Sequence, residues 1–197
     1  MSSSGTLTNL PNLLTLGRIF LVPLFVIVYV MPSEGTYFYA AALFGLAAFT
    51  DWLDGYLARR LDQTTAFGAF LDPVADKLIV VTAVVILIAH HHTLWLTLPG
   101  LVIVGREIVV SALREWMAEM NRRGVVGVGW LGRVKTVFQM VAVLVLLANP
   151  PALARPWVIV GYVLLYVAAA MTLASMVIYL RAAWPSLVDG LRDEGMP

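Results

Sequence analysis

Long apolar runs constrain this chain more than any other feature of its sequence. Six such runs, separated by breaks that contain proline, glycine or charged residues, cover most of the 197 positions. A helix needs about 20 apolar residues to cross the hydrocarbon core of a bilayer, and most of the runs reach that length. We therefore predict an all-α, polytopic membrane protein. Its single domain, residues 1–197, is a six-transmembrane-helix bundle with spans at 13–31, 37–58, 70–90, 94–117, 134–148 and 157–180.

The composition excludes several other classes of protein. Hydrophobic residues make up 60% of the chain and charged residues 13%, whereas a soluble domain is about one quarter charged. The 13 lysines and arginines nearly balance the 12 aspartates and glutamates, which argues against a nucleic-acid binder with a basic surface. The chain has no cysteine, so thiolate catalysis and thiolate metal sites are excluded.

Positive charge predicts the orientation of the bundle, because cytoplasmic loops of membrane proteins are enriched in lysine and arginine. The opposite loops hold only Arg155, which predicts an N-in, C-in topology. The three histidines at 90–92 then face outward. We predict a solvated loop there, since consecutive histidines cannot easily share one tetrahedral zinc ion. The cytoplasmic set comprises Arg59, Arg60, Arg122, Arg123, Arg133, Lys135, Arg181 and Arg192.

Four aspartates lie where a membrane protein rarely places charge. Asp51 and Asp54 lie near the end of the second apolar run, and Asp72 and Asp76 lie near the start of the third. An ionisable side chain at the centre of a bilayer costs about 3 kcal/mol or more, so its presence usually reflects a function. The break between the two runs is short. It predicts antiparallel neighbouring helices that hold all four carboxylates at a similar depth near the cytoplasmic side.

The spacing of these aspartates predicts a metal site. Residues three or four apart share one face of a helix, so Asp51 and Asp54 form one pair, and Asp72 and Asp76 form another. Two such faces turned toward each other bring four carboxylates together, and their mutual repulsion favours a bound cation. Oxygen ligands without histidine or cysteine suit Mg²⁺ or Mn²⁺ better than zinc, and two ions could share the site.

Small residues and one cation flank the carboxylates. Gly55 and Ala58 leave room for a flat group against the backbone, although such residues in spans also serve close helix packing. Arg59 is placed to meet a phosphate with its planar guanidinium, although an arginine at a cytoplasmic helix end also marks orientation. Gly68 precedes Asp72 by four residues and lies on the same face by helical extrapolation.

The residues from 51 to 76 form a long pattern of fixed spacing, Asp-x2-Asp-Gly-x2-Ala-Arg-x8-Gly-x3-Asp-x3-Asp. It resembles the signature of the CDP-alcohol phosphotransferase family, with no departure at any of its eight positions. The resemblance extends to the segments 9–18, 105–116 and 132–136. These are similar to segments of the bacterial branch that makes phosphatidylglycerol phosphate, although a lysine is commoner where Arg133 stands. The similarity covers about residues 9–140.

The resemblance implies a reaction, a location and a set of site residues. In this family the hydroxyl of an alcohol attacks the β-phosphorus of a CDP-linked lipid, and CMP leaves. In the branch named above the donor is CDP-diacylglycerol and the acceptor is sn-glycerol 3-phosphate. A homodimer in the bacterial cytoplasmic membrane, with its active site facing the cytoplasm, is implied as well. By similarity, Asp76 is the general base, the metal ligands are Asp51, Asp54, Asp72 and Asp76, and the CDP group is bound by Asp51, Gly55, Ala58, Arg59 and Gly68.

An acceptor that carries a phosphate needs cations in its pocket. Arg106 and Arg114 lie eight residues apart on roughly one side of the fourth span, Lys135 begins the fifth, and Arg18 lies early in the first. We predict that these four residues bind the acceptor phosphate, because an anion would offset the cost of burying them. The alternative is internal pairing of the arginines with neighbouring acidic residues.

Two other functions stay open at this point. The same chemistry with another acceptor would make the chain a cardiolipin synthase or a phosphatidylinositol phosphate synthase. Paired arginines favour a phosphorylated acceptor, but they do not separate glycerol phosphate from inositol phosphate. A divalent-cation transporter also uses intramembrane carboxylates, although the clustering of the acids at one rim argues against a path across the membrane.

Overall fold

The chain folds into a bundle of helices, seen in a computed structural model that describes residues 10–31, 33, 35–61, 65–119 and 130–193. Within these ranges the structure has six α-helices and no β-strand, so the prediction of an all-α protein is confirmed for them. The helices are α1 (Leu10–Val30), α2 (Thr36–Leu61), α3 (Ala66–His91), α4 (Leu94–Glu119), α5 (Trp130–Leu147) and α6 (Pro156–Asp193).

Length and composition suit three of the described helices to a bilayer. Three of the described helices contain apolar segments long enough to cross a membrane, and α5 contains the shorter apolar segment Val134–Leu147. Helices α2 and α3 have 26 residues each, or about 39 Å, which exceeds the hydrocarbon core of about 30 Å. We keep the count of six spans and the N-in, C-in orientation as proposals. The three long segments are Asn12–Val30, Leu94–Ala118 and Pro156–Ala182.

Successive helices alternate in direction, so the bundle has two ends of different chemistry. At the end that we call the polar end, the beginnings of α1, α3 and α5 meet the ends of α2, α4 and α6. Buried Arg18, Asp54 and Lys135 lie there. At the opposite end, which we call the apolar end, His91 near the end of α3 contacts Tyr162 near the start of α6.

The hydrophobic core fills the middle of the bundle and its apolar end. Phe25 of α1 packs against Tyr29 and Phe44 with ring centroids 6.5 Å and 6.4 Å apart. Helices α5 and α6 approach each other closely at Gly161, where an added Cβ would lie 2.7 Å from the side chain of Leu146. Small residues permit this kind of backbone approach, on which helix association in membranes depends.

Both ends of α3 are fixed by capping contacts. Thr65 has an extended backbone before the helix, and its side chain accepts a hydrogen bond of 3.0 Å from Gly68 N. At the other end His92 adopts a left-handed conformation with φ of 47° and its N–H donates to Ile88 O. The solvated loop predicted for residues 90–92 is wrong for His90 and His91, which both lie in α3. His91 is buried, and its Nδ1 lies within hydrogen-bond distance, 3.0 Å, of the Tyr162 hydroxyl.

Candidate active site

Three of the four aspartates surround one arginine of α1. Arg18 Nη1 donates to Asp51 Oδ1 at 2.7 Å and to Asp76 Oδ1, and its Nη2 donates to Asp54 Oδ2. The Arg18 side chain is fully buried, whereas those of Asp51 and Asp76 are 46% and 47% exposed. The group therefore has a side closed by α1 and a side open to ligands. We call Arg18, Asp51, Asp54, Asp72 and Asp76 together the carboxylate cluster.

The fourth aspartate contacts a second residue of α1. Thr15 Oγ1 donates to Asp72 Oδ1 at 2.7 Å and lies 3.4 Å from Asp54 Oδ2. Asn12, Thr15 and Arg18 recur at intervals of three, so they share one face of the helix. This polar face of α1 binds both helices that carry the aspartates.

Close packing between α1 and the start of α3 explains the glycine at position 68. The Asn12 amide donates to Thr65 Oγ1 at 3.0 Å, and the Thr65 hydroxyl donates to Asn12 Oδ1 at 3.1 Å. A Cβ on Gly68 would lie 2.6 Å from Asn12 Oδ1, which is closer than van der Waals contact allows. Gly68 thus permits the contact that seats α1, apart from the role in CDP binding that the family resemblance implies.

A second charged group lines a cavity beside the carboxylate cluster. The cavity has a volume of about 410 Å³, and its lining includes Asp72 and Asp76 as well as Arg106, Arg114 and Lys135. Arg106 and Lys135 are 8% and 2% exposed, whereas Arg114 is an exposed residue. We call this space the cation cavity. The other lining residues are Pro73, Lys77, Val80, Glu107, Gly132, Thr136, Gln139 and Tyr179.

The two arginines of the cation cavity are held by different partners. Arg106 Nη1 donates to Glu107 Oε1 at 2.5 Å, and its buried Nε has no hydrogen-bond partner among the described residues. Arg114 Nη2 donates to the Tyr179 hydroxyl at 3.1 Å, and its guanidinium carbon lies 5.5 Å from the centre of that ring. A buried donor without a partner costs free energy until a ligand oxygen meets it. The cavity therefore suits an anion with several oxygens, such as a phosphate.

The structure brings together most of the residues that the sequence singles out. The four aspartates converge at the polar end, and three of the four cations assigned to the acceptor phosphate line the cation cavity. Arg18 departs from that grouping, because it is absent from the lining of the cavity and contacts the aspartates instead. Its position follows from the period of α1, whose polar face packs against α2 and α3.

The residues assigned to CDP binding are described in part. Asp51 is half-exposed at the open side of the cluster, and Gly55 lies half-buried one turn further along α2. Gly68 is buried against Asn12. The side chains of Ala58 and Arg59 lie outside the described part of the structure.

Two residues of this site, Asn12 and Thr15, are missed as functional residues by the sequence reasoning. The aspartate pattern points to α2 and α3, and residues 9–18 carry only a family resemblance. A signal was present, since three polar residues spaced three apart on one face of an apolar helix indicate a buried polar contact. Tyr179 is missed as well, and a single tyrosine among the aromatic residues of the last span gives no comparable signal.

The chemistry of the carboxylate cluster fits a divalent metal ion. Its aspartates offer oxygen ligands, which Mg²⁺ and Mn²⁺ prefer, and three of them already gather around a positive group. No three acidic or histidine side chains of the described residues are arranged to hold one ion by themselves. The Arg18 guanidinium lies between the carboxylates as their counter-charge, so an ion that bound all of them would replace some of its contacts.

A comparison with protein families agrees with this geometry. The family described as CDP-alcohol phosphatidyltransferase matches residues 8–181. The chain belongs to this family. CDP-alcohol phosphatidyltransferases generally depend on divalent metal ions, which is consistent with the donor set of the carboxylate cluster.

Curated relatives match nearly the whole chain. A protein of Pseudomonas fluorescens is 56% identical over 188 residues, which are 94% of this chain and 95% of the relative. Proteins of Escherichia coli strain K12 and of Shigella flexneri are each 52% identical over 182 residues, 92% of this chain and 98% of the relative. All three relatives are named CDP-diacylglycerol–glycerol-3-phosphate 3-phosphatidyltransferase. The family resemblance drawn from the aspartate pattern is confirmed.

Proposed function

We propose that this CDP-alcohol phosphatidyltransferase transfers the phosphatidyl group of CDP-diacylglycerol to sn-glycerol 3-phosphate, which gives phosphatidylglycerol phosphate and CMP. One observation carries the proposal: Asp72 and Asp76 belong to the carboxylate cluster and also line the cation cavity. A phosphorylated acceptor in the cavity would therefore bring its hydroxyl beside a carboxylate. The names of the relatives support the same donor and acceptor.

The cation cavity binds the phosphate of the acceptor. A phosphate monoester carries between about 1.5 and 2 negative charges at neutral pH, and Arg106, Arg114 and Lys135 supply three positive charges. These like charges repel one another until an anion binds. The volume of about 410 Å³ falls within the range of about 300–1,000 Å³ that is usual for small-molecule sites.

Asp76 accepts the proton of the acceptor hydroxyl. Its half-exposed carboxylate lies where the carboxylate cluster meets the cation cavity. The acceptor oxygen forms a bond to the β-phosphorus of the donor, while the bond between that phosphorus and the bridging oxygen of CMP breaks. The hydroxyl proton moves to the Asp76 carboxylate, and CMP leaves with the electron pair of the broken bond.

The CDP group of the donor lies on the α2 side of the carboxylate cluster. By family similarity we assign it to Asp51, Gly55, Ala58, Arg59 and Gly68. Two divalent ions, Mg²⁺ or Mn²⁺, held by Asp51, Asp54, Asp72 and Asp76, would neutralise the charge of the diphosphate. The Thr15 hydroxyl keeps Asp72 oriented toward this site.

We also propose that all six helices span the cytoplasmic membrane of a bacterium, with the polar end toward the cytoplasm. The excess of lysine and arginine at that end supports this orientation. The water-soluble acceptor and CMP then exchange with the cytoplasm, while the acyl chains of donor and product stay in the bilayer. We further expect a homodimer, which the mass of the detergent-solubilised protein would test.

An acceptor panel tests the proposed reaction. The purified protein is given CDP-diacylglycerol, Mg²⁺ and one acceptor at a time: glycerol 3-phosphate, inositol phosphate, phosphatidylglycerol, serine or buffer. We expect CMP release and a product with the mass of phosphatidylglycerol phosphate only with glycerol 3-phosphate, and no turnover in EDTA. Turnover with another acceptor would overturn the acceptor assignment. Folded protein that turns over no acceptor, but carries divalent cations into vesicles, would overturn the proposed enzymatic activity in favour of cation transport.

A further inference from the structure

We propose that Tyr179 is a positioning residue for acceptor binding, which holds Arg114 at the wall of the cation cavity. Tyr179 belongs to α6, outside the aspartate pattern of residues 51–76 but within the family match to residues 8–181. It is buried, and it lines the same cavity as Arg114. The inference rests on the proposed function, because it concerns how the acceptor phosphate is recognised.

The three cations assigned to the acceptor phosphate differ in how firmly the surrounding structure holds them. Arg106 and Lys135 are buried, and Arg106 is paired with Glu107 at 2.5 Å. Arg114 is exposed, and it shares the cavity with three other cations, Lys77, Arg106 and Lys135. A long exposed side chain beside like charges tends to turn toward water, because solvent screens the repulsion there. Arg114 therefore needs a restraint to stay in place.

Tyr179 supplies that restraint in two ways. Its hydroxyl accepts a hydrogen bond of 3.1 Å from Arg114 Nη2. Its ring lies 5.5 Å from the guanidinium carbon, which is within the range of a cation–π contact. A buried aromatic ring has few conformations, so the arginine that rests on it loses little further entropy when a phosphate binds. The guanidinium then keeps its remaining N–H groups for ligand oxygens.

The test is a double-mutant cycle on acceptor kinetics. Tyr179→Phe removes the hydroxyl and keeps the ring, so we expect the KM for glycerol 3-phosphate to rise about fivefold, the usual weight of one hydrogen bond. The kcat and the KM for CDP-diacylglycerol should stay within about twofold of the wild type, because ground-state binding of one substrate alone is affected. Tyr179→Leu, which also removes the ring, should raise the acceptor KM further.

Arg114 provides the second side of the cycle. If Tyr179 acts through Arg114, adding Tyr179→Phe to Arg114→Ala should leave the acceptor KM within about twofold of the Arg114→Ala value. Tyr166→Phe is the matched control, since Tyr166 lies on the same helix, is exposed and is absent from the cavity lining. A Tyr179→Phe variant that lowers kcat or weakens both substrates equally would overturn the proposal. So would effects that add fully in the double variant.

The wild-type arm separates failure of this inference from failure of the proposed function. Turnover with glycerol 3-phosphate and an unchanged acceptor KM in Tyr179→Phe would overturn only the inference. Turnover with unphosphorylated acceptors alone would overturn both, since Arg114 would then meet no phosphate. If no acceptor is turned over, the positioning role of Tyr179 is tested by binding alone, measured as the rise in thermal midpoint that glycerol 3-phosphate causes. An equal rise in the wild type and in Tyr179→Phe would overturn the positioning role.

Discussion

The carboxylate cluster and the cation cavity lie side by side at the polar end, yet they are assembled in different ways. The cluster comes from α1, α2 and α3, and each aspartate pair lies within four residues of sequence. The cavity draws its cations from α3, α4 and α5 and a tyrosine from α6. The cluster is therefore organised by the spacing of residues on two helices, whereas the cavity depends on how four helices pack.

The two regions also differ in how their charges are balanced. In the cluster, one buried guanidinium meets three carboxylates. In the cavity, four cations, Lys77, Arg106, Arg114 and Lys135, share a space with Asp72, Asp76 and Glu107. In the described part of the chain the buried Nε of Arg106, like that of Arg18, has no hydrogen-bond partner. The cluster therefore has an excess of negative charge, four carboxylates against one guanidinium, whereas the cavity has an excess of positive charge, four cations against three acidic residues. This difference supports the proposal that the cluster binds cations and the cavity binds the anionic acceptor.

The largest effect is expected where the two regions meet. Asp76→Asn keeps the shape of the side chain and removes its basicity, so kcat should fall about 1,000-fold, within the usual range for a lost general base. The KM for glycerol 3-phosphate should change little. CMP release at saturating substrate measures both values. Glu115→Gln, an exposed change on α4, is the control for loss of an acid. A fall in kcat of less than tenfold in Asp76→Asn would contradict the assignment of Asp76 as the proton acceptor.

A substitution of Arg18 tests whether this residue belongs to the carboxylate cluster or to the cation cavity. Arg18→Gln leaves Asp54 buried without its cation, so the free energy of unfolding should fall by about 2–3 kcal/mol. The fall is no larger because the other two carboxylates that Arg18 contacts are half-exposed, and water screens their charges. The KM for glycerol 3-phosphate should stay unchanged, because Arg18 does not line the cavity.

Thermal midpoints in detergent, measured with EDTA, report the stability of this variant. Arg181→Gln, an exposed change on α6, is the control. If the acceptor KM rose as strongly as in a variant of the cation cavity while the midpoint stayed unchanged, Arg18 would be a ligand of the acceptor phosphate, as the sequence predicts.

The contrast also explains what could be predicted from the sequence. The convergence of the four aspartates was predictable because helical periodicity alone places Asp51 with Asp54 and Asp72 with Asp76, and a short connection sets the two helices side by side. The six helices were predictable because each apolar run is long and bounded by clear breaks. The grouping of Arg106, Arg114 and Lys135 followed from charge requirements, and the cavity lining agrees with it.

What could not be predicted depends on rotation of one helix against another. The apolar character of α1 does not tell which face meets α2 and α3, so Arg18 could be assigned to either region. Its place became clear only from the packing of the face that carries Asn12 and Thr15. The burial of His91 is a similar case, because the contact with Tyr162 joins residues 71 positions apart.

A cavity variant should affect the acceptor alone. Arg106→Ala removes a buried cation, and the loss of about 2 kcal/mol of charge-assisted hydrogen bonding predicts a fall of about 30-fold in kcat/KM for glycerol 3-phosphate. The KM for CDP-diacylglycerol should stay near the wild-type value. Arg155→Ala, an exposed change at the apolar end, is the matched control for loss of positive charge. Equal weakening of donor and acceptor would mean that the two regions do not bind separate substrates.

The smallest effect is expected where α1 is seated against the carboxylate cluster. Gly68→Ala places a Cβ 2.6 Å from Asn12 Oδ1 and 3.2 Å from Thr65 Oγ1. The shift needed to relieve these contacts should destabilise the fold by more than the better helix propensity of alanine stabilises it. We expect a net destabilisation of about 1 kcal/mol and a loss of up to about tenfold in kcat through displacement of Thr15 and Arg18.

Gly17→Ala on α1 is the matched control for this substitution, since an added Cβ there meets nothing within 4 Å. That change should raise the thermal midpoint slightly, because alanine favours the helix and restricts the unfolded chain more than glycine does. The KM for CDP-diacylglycerol separates the two roles of Gly68. If Gly68→Ala raises the donor KM while the midpoint stays unchanged, the glycine serves the CDP group directly; if the midpoint falls and the donor KM holds, it serves the seating of α1.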